Sequence, residues 1–547
     1  MPTNHRTRFT PIVIAVSLVC GILIGTFLTT RFATNRLSII NSSSNKINDL
    51  LHIIDDRYVD TISIAQIVEQ ALPTLLSELD PHSSYIPADE AEEANQDLKG
   101  SFSGVGVQFT INNDTVYISN VIHAGPAEKS GVIAGDRIIA IDGEVYVGDS
   151  VTNKETMRRL RGEKGTDVTI TVLRASEERD ITITRDDIPV NTIDAAYMLT
   201  PELGYIKVSS FGETTYVELL NALLTLQTEG FKGLVIDLRD NGGGYLGAAV
   251  QMANEFLPDN QLIVYTEGRK SKQQVYYTDG RGSYQSIPLI VLTGEYTASA
   301  AEIFAGAIQD NDRGIIVGRR TFGKGLVQEA IDFPDGSLIH LTIARYYTPS
   351  GRCIQKPYEQ GKSDEYQMEI LSRYQHGEYF HPDSIHRQGE AYTTSLGRTV
   401  YGGGGIMPDY FVPEDTSLVT PWFSECVRLG YTAEFCFTYT DQHRTELLSY
   451  NTADKLARHL RGQGITQQFI QYCDQKQLRR RNNQILTSQP LIERTLHGSI
   501  IYNMLGMEAY LQYINQQDNT VGQAIQLYEQ GLTRPQAPEP IAADDAE

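Results

Sequence analysis

Apolar strand-like runs alternate with helical stretches beyond Ile188, and this pattern constrains the fold more than any other feature of the chain. One such run covers Gly233 to Leu238, and helical stretches cover Thr215 to Glu229 and Ala298 to about Gln309. Alternation of this kind is typical of an α/β core. We therefore predict an α/β domain over residues 188–416.

Further domains are expected on both sides of this core, since a chain of 547 residues is too long for one ordinary hydrophobic core. Residues 35–99 have apolar positions at helical spacing and are predicted to form a helical domain. From Gly100 short β-branched runs alternate with glycine turns, which predicts a compact β-rich domain over residues 100–187. Residues 417–534 again show a helical pattern, and the acidic segment 535–547 is expected to be disordered.

An uncharged apolar segment follows a ten-residue tail, residues 1–10, at the start of the sequence. Residues 11–30 are rich in Ile, Val and Leu, and they are about as long as a bilayer core requires. Because no small-x-small cleavage site stands out after them, we expect an uncleaved signal anchor, with a cleaved signal peptide as the alternative.

Charge and metal-ligating residues exclude several classes of function. A formal net charge of −22 argues against a nucleic-acid partner, because such binding needs clustered Lys and Arg. The 11 histidines show no spacing typical of metal ligands, and the cysteines fit no zinc signature, so we predict no metal and no other cofactor. Cys426 and Cys436 could pair in an oxidising compartment, but free buried thiols are equally consistent with the sequence.

Ser299 lies where a predicted apolar strand runs through a turn into a predicted helix, within Thr297-Ala298-Ser299-Ala300-Ala301-Glu302. Such a position exposes the serine Oγ near the positive end of the helix and offers the Ala300 N–H to an oxyanion. An isolated serine in this place would more often be a simple helix cap. The serine therefore needs further support before it is called a nucleophile.

Lys324 is flanked by two glycines in an otherwise apolar stretch, Thr321 to Gln328. A lysine can act as the base for a serine only if its pKa falls from about 10.4 towards neutrality, which burial achieves. A neighbouring carboxylate would oppose that fall. Gln328 is a neutral group that can orient the amine without this effect. Taken alone, Gly-Lys-Gly is usually a surface turn.

Two glycine-containing loops have the form of anion-binding sites. The strand that precedes Asp237 runs into the turn Asn241 to Gly244, whose N–H groups, at Gly242 and Gly243, are candidates for a second oxyanion donor. The β-rich domain begins with Phe102-Ser103-Gly104-Val105-Gly106-Val107, where consecutive N–H groups can bind a terminal carboxylate and the adjoining strand can pair with a peptide. The predicted peptide-binding residues are Gly104, Val105, Gly106 and Val107.

In this order the motifs resemble the C-terminal processing peptidases, also called tail-specific proteases, which are serine-lysine peptidases with an embedded PDZ domain. The resemblance extends from about Asn45 to Pro413. By resemblance Ser299 matches the nucleophile, Lys324 the base and Gln328 the glutamine that orients the lysine. The turn Asn241 to Gly244 matches the oxyanion loop, and Asp80 to Ser83 and Gly403 to Asp409 look like recurrent motifs of the family. Gly242 replaces a common proline and Ala301 a frequent serine, so we expect a more flexible oxyanion loop.

The resemblance implies a multi-domain α/β fold. Its parts would be a crotonase/ClpP-like peptidase core over residues 188–416, an inserted PDZ domain, a helical N-terminal region and a helical C-terminal extension. The implied activity is that of a serine endopeptidase that captures protein substrates by their apolar C-terminal tails and cleaves through an acyl-enzyme. Two alternatives remain: an inactive PDZ scaffold that only binds peptides, and a Ser/Lys amidase that acts on cell-wall peptides.

The expected setting is the cell envelope, with the chain anchored in the cytoplasmic (inner) membrane and the catalytic part in the periplasm. We also expect a homo-oligomer, a dimer or larger, and an adaptor protein is possible. Arg174, at the end of a strand of the β-rich domain, is a candidate contact to the core in the active arrangement.

Overall fold

The computed structural model describes residues 46–91, 100–112, 114–174, 176–385 and 389–537. The predicted membrane segment, residues 11–30, and most of the acidic tail lie outside these residues. Within the described ranges, no helix combines the length and the apolar character needed to cross a bilayer.

The chain divides into two compact units, residues 1–75 and 76–547. In the first unit helix α1 covers residues 46–57, and α2 (Ile64–Ser77) begins there. Both helices follow the apolar spacing noted in the sequence. The second unit opens with the turn Asp80 to Ser83 and a short strand, β1 (Ser84–Ile86).

The β-rich domain comes next and is built around an antiparallel sheet in the order β3-β4-β5-β7-β8, with β6 paired to β5. Among the strands that the structure describes, β3 pairs only with β4, so its other edge is open to them, and β2 and β9 form a separate antiparallel pair. Alternate residues of β4 and β7 fill the domain core. The elements are β2 (Ser101–Gly104), β3 (Val107–Asn112), β4 (Thr115–Val121), α3 (Pro126–Lys129), β5 (Arg137–Ile141), β6 (Glu144–Val145), α4 (Asn153–Leu160), β7 (Asp167–Arg174), β8 (Glu177–Thr184) and β9 (Asp186–Pro189).

The core contains two sheets. The central one has the order β10-β11-β12-β15-β16-β21, parallel from β11 onwards, and the second has the order β1-β18-β13-β14 with β17 paired to β18. The elements are β10 (Ile193–Met198), β11 (Leu203–Val208), α5 (Thr215–Glu229), β12 (Gly233–Asp237), α6 (Leu246–Phe256), β13 (Leu262–Glu267), β14 (Gln274–Tyr277), β15 (Leu289–Thr293), α7 (Ala300–Asp310), β16 (Ile315–Gly318), β17 (Leu326–Asp332), β18 (Leu338–Tyr347), α8 (Ser363–Gln375), β19 (Ala391–Thr393), β20 (Thr399–Tyr401) and β21 (Tyr410–Phe411).

The central sheet is buried on both faces, which explains why its strands read as continuous apolar runs. Leu234 and Ile236 of β12 point to one face, where they pack with residues of α5, α6 and α7. Val235 points to the other face, where it packs with Val521 and Leu527 near the end of the chain. The C-terminal extension therefore completes the core rather than lying apart from it.

The C-terminal extension is helical, and its own core contains the single tryptophan, Trp422. Cys426 lies 3.8 Å (Sγ to Sγ) from Cys473, whereas Cys436 donates to the Leu496 carbonyl, so the structure does not bring Cys426 and Cys436 together. Of the two alternatives that the sequence left open, the structure has free buried thiols, and the neighbour of Cys426 is Cys473. The elements are α9 (Pro421–Arg428), α10 (Tyr431–Leu447), α11 (Ala453–Arg461), α12 (Ile465–Gln475), α13 (Asn482–Ile514), which is broken at Gly506, and α14 (Asn519–Glu529).

Helix α10 also contacts the β-rich domain. Arg137 Nη2 of β5 donates to Asp441 Oδ2 at 3.0 Å, and the rings of Tyr117 and Phe437 meet edge to face with centroids 5.0 Å apart. The Arg137 guanidinium in turn lies over the Tyr117 ring. These contacts use β4 and β5, so the open edge of β3 is left free by them.

Candidate active site

Ser299 stands at the junction between β15 and α7 in a backbone conformation that is rare for a residue with a side chain. Its φ of 57° and ψ of −118° lie in a strained region, and such strain concentrates at functional sites. The helix that follows is buried along its whole length. The sharp turn thus places the serine at the positive end of a fixed helix, as the sequence predicted.

The glycine turn packs directly against this serine. A Cβ added at Gly243 would lie 2.7 Å from Ser299 Cβ and 2.9 Å from Ala300 N, so only glycine fits there. The Gly243 N–H donates to Asn241 Oδ1 at 2.8 Å, and the predicted role of that N–H as an oxyanion donor therefore does not hold in this arrangement. The Ala300 N–H begins a helix and has no partner within it, and Gly242 is exposed beside it, so these two remain the candidate donors.

Lys324 lies between β16 and β17 with its side chain largely buried. Burial lowers the pKa of Lys324 below its usual value, while the carboxyls of Glu302 and Asp80 act in the opposite direction. The sequence analysis noted that a neighbouring carboxylate would oppose the fall in the pKa of Lys324, and the structure shows two that do so. The net shift is still downward because desolvation outweighs both carboxyls, which is the direction that a general base requires.

Glu302 is the functional residue that sequence reasoning missed. Its carboxylate is fully buried and accepts hydrogen bonds from the N–H groups of Ser299 (2.9 Å), Gly323 (2.8 Å) and Lys324 (2.9 Å) and from the Thr321 hydroxyl. Burial raises the pKa of Glu302 to about 7 despite these donors. One side chain thereby links the Ser299 turn to the Lys324 loop. The spacing Ser-x-x-Glu at a helix start was the available signal.

Tyr346 makes a second link between the same two backbone segments. Its buried hydroxyl donates to the Ser299 carbonyl at 3.1 Å and to the Lys324 carbonyl. Tyr346 belongs to β18, far from both residues in sequence, so no local pattern could have identified it. The two catalytic candidates are therefore fixed relative to each other through both their N–H and their C=O groups.

Gln328 lies on β17 next to an irregularity in the pairing of that strand with β18. The register shifts between Val327 and Gln328, and as a result Gln328 lies opposite Thr342 of β18. The Gln328 Nε2 donates to the Thr342 hydroxyl at 3.2 Å. Bulges of this kind redirect side chains beside active sites. The predicted lysine-orienting glutamine thus has a fixed partner on the neighbouring strand.

These residues line a single cleft of about 510 Å³. It brings together every catalytic and oxyanion residue predicted from the sequence, namely Ser299, Lys324, Gln328, Gly242, Gly243 and Ala300, with apolar walls from Leu246, Ile303, Leu326 and Val327. Burial lowers the pKa of a second lysine, Lys356, to about 8, but its Nζ donates to Glu369 at 3.0 Å and lies over the rings of Phe322 and Tyr366. Lys356 does not line this cleft, whereas Lys324 lines it together with Ser299, so Lys324 is the candidate base.

The predicted peptide-binding loop lies between β2 and the open edge of β3. Its bends are fixed from within the domain, because Ala127 N–H donates to the Val105 carbonyl and Ile122 N–H to the Gly106 carbonyl. Gly104 ends β2, and Val107 begins β3. Arg174 forms a two-pronged pair with Asp136 at 2.7 Å and donates to the Gly131 carbonyl, so in this structure it is bound within its own domain and not to the core.

Comparison with known proteins assigns two of these regions. Residues 202–362 match the profile of peptidase family S41, and residues 103–184 match the PDZ domain. Residues 422–506 match a family of unknown function, DUF8443. The first two matches coincide with the domain that holds the cleft and with the β-rich domain.

Two named proteases are similar to this chain over most of their own length. The chain is 36% identical over 317 residues to a carboxy-terminal-processing protease of Bartonella bacilliformis, covering 57% of this chain and 72% of that protein. It is 31% identical over 355 residues to a probable CtpA-like serine protease of Staphylococcus aureus, covering 64% and 70%. Among solved structures, the photosystem II D1 C-terminal processing protease is 27% identical and covers 68% of this chain and 92% of that one, with a TM-score of 0.34.

The α/β core with its cleft, the inserted PDZ domain and these matches define a serine peptidase of multi-domain α/β architecture. Within that class the chain belongs to the carboxy-terminal-processing proteases of peptidase family S41. The resemblance stated from the sequence motifs is thereby confirmed, as is the fold class.

Proposed function

We propose that this peptidase cleaves protein substrates with a Ser299/Lys324 dyad. The observation that carries the proposal is the joint anchoring of both residues by Glu302, which receives the N–H groups of Ser299 and Lys324 on one carboxylate. The lowered pKa of Lys324 supports the assignment of the base. Gln328, on the same cleft wall, orients the lysine amine.

The reaction follows from these positions. The Ser299 Oγ attacks the carbonyl carbon of the scissile bond while the neutral Lys324 amine accepts the hydroxyl proton. The Ala300 N–H, with that of Gly242, stabilises the oxyanion. Lys324 then gives its proton to the leaving amine. Water, deprotonated by the same lysine, attacks the acyl carbon, and Lys324 returns that proton to Ser299 Oγ as the bond between the acyl carbon and Oγ breaks.

Substrate capture is assigned to the PDZ domain. The open edge of β3 can accept an extended peptide as an added strand, and the adjoining loop of Gly104, Val105, Gly106 and Val107 is the proposed site for the terminal carboxylate of that peptide. The names of the relatives, which refer to carboxy-terminal processing, support this role. Apolar C-terminal tails are the proposed ligands, and the apolar cleft walls suit the residues around the scissile bond.

The proposed setting is the cell envelope. Residues 11–30 would anchor the chain in the cytoplasmic membrane with the peptidase on the periplasmic side, in keeping with their lack of charge. A homo-oligomer is part of the same proposal. Detergent extraction of membranes and mass measurement of the purified protein test the two parts separately.

The test of the proposed function uses the chain from Asn35 onward and an unfolded protein that ends in apolar residues. We expect cleavage by the parent, loss of cleavage in Ser299→Ala and Lys324→Ala, and slower cleavage when the substrate tail is made charged. Lys356→Arg, which keeps a cation over Phe322 and Tyr366, is the matched control and should remain active. Tail binding without any cleavage would instead favour the inactive scaffold, and cleavage of cell-wall peptides alone would favour the amidase.

A further inference from the structure

A hydrogen-bonded chain links Gln328 to Asp80, a carboxylate that opposes the lowering of the Lys324 pKa and has no other task in the proposed mechanism. Gln328 Nε2 donates to Thr342 Oγ1 at 3.2 Å, and Thr342 Oγ1 donates to Asp80 Oδ1 at 3.0 Å. Asp80 is buried, with 6% of its surface exposed. It belongs to the turn that precedes β1, more than two hundred residues before the catalytic motifs.

The turn itself is firmly held beside Thr342. Asp80 also accepts from the N–H groups of His82 and Ser83, both at 2.9 Å, and from the Ser83 hydroxyl at 2.6 Å. The Thr342 N–H donates back to Ser83 Oγ at 3.1 Å. The next residue, Ser84, starts the pairing of β1 with β18. The position of Asp80 relative to Thr342 is therefore fixed by backbone pairing as well as by side chains.

The direction of this chain follows from its last member. An ionised carboxylate only accepts hydrogen bonds, so the Thr342 hydroxyl must give its single hydrogen to Asp80. Its remaining lone pairs can then only accept, which requires that Gln328 present its NH₂ group to Thr342. The Gln328 Oε1 is thereby the end of the amide that can face the cleft. There it can accept a hydrogen bond from the amine of Lys324.

We propose that Asp80, acting through Thr342, is a positioning residue that selects the orientation of the Gln328 amide and so directs the Lys324 amine towards Ser299. The inference rests on the proposed Ser299/Lys324 mechanism and assigns a task to the Asp80 turn within it. Without the chain, the amide can rotate by half a turn and present its NH₂ group to Lys324, whose single lone pair would then accept from Gln328 instead of from the Ser299 hydroxyl. Fewer enzyme molecules would then hold the base in a productive position.

The test compares two substitutions at Thr342. Thr342→Val keeps the shape and removes the hydroxyl, whereas Thr342→Ser keeps the hydroxyl. With the apolar-tailed protein as substrate, we expect Thr342→Val to lower kcat about tenfold, the effect of one or two lost hydrogen bonds, with KM unchanged. Thr342→Ser should retain kcat within about twofold on the same grounds. Equal unfolding temperatures would show that both variants are folded.

A double-mutant cycle separates positioning from general disturbance of the site. If Thr342 acts through Gln328, Thr342→Val should cause no further loss of kcat in a Gln328→Ala background. Asp80→Asn is the second variant, since an amide can donate as well as accept and no longer dictates the direction of the hydroxyl. Because the Asp80 carboxyl also acts directly to raise the pKa of Lys324, Asp80→Asn should lower that pKa further in either background, and this effect is read from the pH profile of kcat. The loss of kcat that remains at the pH optimum is the part that should vanish in Gln328→Ala.

The outcomes are distinguishable from failure of the proposed function. If the wild-type enzyme cleaves and Thr342→Val has an unchanged kcat, the positioning role alone is overturned. The same conclusion follows if Thr342→Val lowers kcat by the same factor in the Gln328→Ala background as in the wild-type enzyme. A wild-type enzyme that does not cleave any apolar-tailed protein overturns the proposed function, and the positioning role with it.

Discussion

Among the single residues of the site, Glu302 is a buried carboxylate that is stabilised by hydrogen bonds from its neighbours. A fully buried carboxylate would ordinarily be destabilising, and burial does raise its pKa to about 7. Its donors include the N–H groups of Ser299, Gly323 and Lys324, which would themselves be unsatisfied without it. The cost of burying the Glu302 carboxylate is therefore offset by the hydrogen bonds that it accepts from the N–H groups of the Ser299 turn and the Lys324 loop.

The first prediction concerns the base. Lys324→Arg keeps a positive charge, but a guanidinium with a pKa above 12 cannot accept the serine proton at neutral pH. We expect a loss in kcat on the order of a thousandfold or more, as when a member of a catalytic set is removed. Steady-state cleavage of the tailed substrate measures it, and binding of the tail peptide should be unchanged. Activity close to that of the parent would rule out Lys324 as the base.

The second prediction concerns His82, which shares the Asp80 turn and contacts Tyr366 Oη at 2.8 Å through Nε2. Burial, with a contribution from Lys324, lowers the pKa of His82 from 6.5 to about 4. The unfolded chain therefore binds a proton at higher pH than the folded chain. The contribution of His82 to the free energy of unfolding is therefore fully present above pH 6.5. It is lost as the pH falls towards 4, and the loss is at most about 3 kcal/mol.

Thermal unfolding at pH 7 and at pH 4.5 measures this effect, with His82→Gln as the variant that cannot titrate. The parent should lose more stability on acidification than His82→Gln does. An equal loss in both proteins would show that His82 is not held neutral by the fold.

At the scale of elements, the junction between β15 and α7 is fixed by its contact with the glycine turn after β12. Gly243→Ala introduces a Cβ 2.8 Å from the Ala298 carbonyl at a φ of +102°, where a side chain is strained. We expect a loss of about 1–3 kcal/mol in stability and a large fall in kcat as the Ser299 turn shifts.

Gly247→Ala is the matched control, since a Cβ at Gly247 meets nothing within 4 Å and the residue lies in helix α6. It should leave kcat unchanged and raise stability slightly, because alanine favours helices. Unfolding temperature and cleavage rate measured on both variants decide the matter. A Gly243→Ala enzyme as active as Gly247→Ala would contradict the described packing.

The elements also show what the sequence could and could not predict. The alternation beyond Ile188 predicted the α/β core, and the local motifs around Ser299 and Lys324 identified residues that line one cleft, because each pattern depends on neighbours in sequence. Tyr346 and Thr342 reach the site from β18 and Asp80 from the turn before β1, so their roles depend on strand pairing that no local pattern encodes. The commitment of the Gly243 N–H to Asn241 is a matter of side-chain geometry and was equally invisible.

For the whole molecule, the C-terminal extension contacts both other parts of the second unit. It covers one face of the central sheet and meets the PDZ domain through Arg137 and Asp441. This ion pair is partly exposed, with 41% and 23% of the two side chains accessible, so it contributes about 1 kcal/mol or less. A contact of that strength holds the PDZ domain in place and can still be released.

Charge reversal tests this contact. Arg137→Glu places two carboxylates together and should raise hydrogen exchange in β4, β5 and α10, and the double variant Arg137→Glu with Asp441→Arg should restore protection. Arg179→Glu is the control, because its partner Glu177 lies in the same domain. Protection of α10 that is insensitive to all three changes would mean that the PDZ domain does not rest on the extension in solution.

The most direct test of the central claim is to find the acyl-enzyme. A reaction with the apolar-tailed substrate is quenched in acid, and the protein is measured by intact mass and then mapped by peptide mass spectrometry. The account predicts a mass increase equal to the acyl part of the cleaved substrate, located on Ser299 and absent from Ser299→Ala, which should not cleave. An adduct on another residue, or a Ser299→Ala protein that cleaves as fast as the parent, would contradict it.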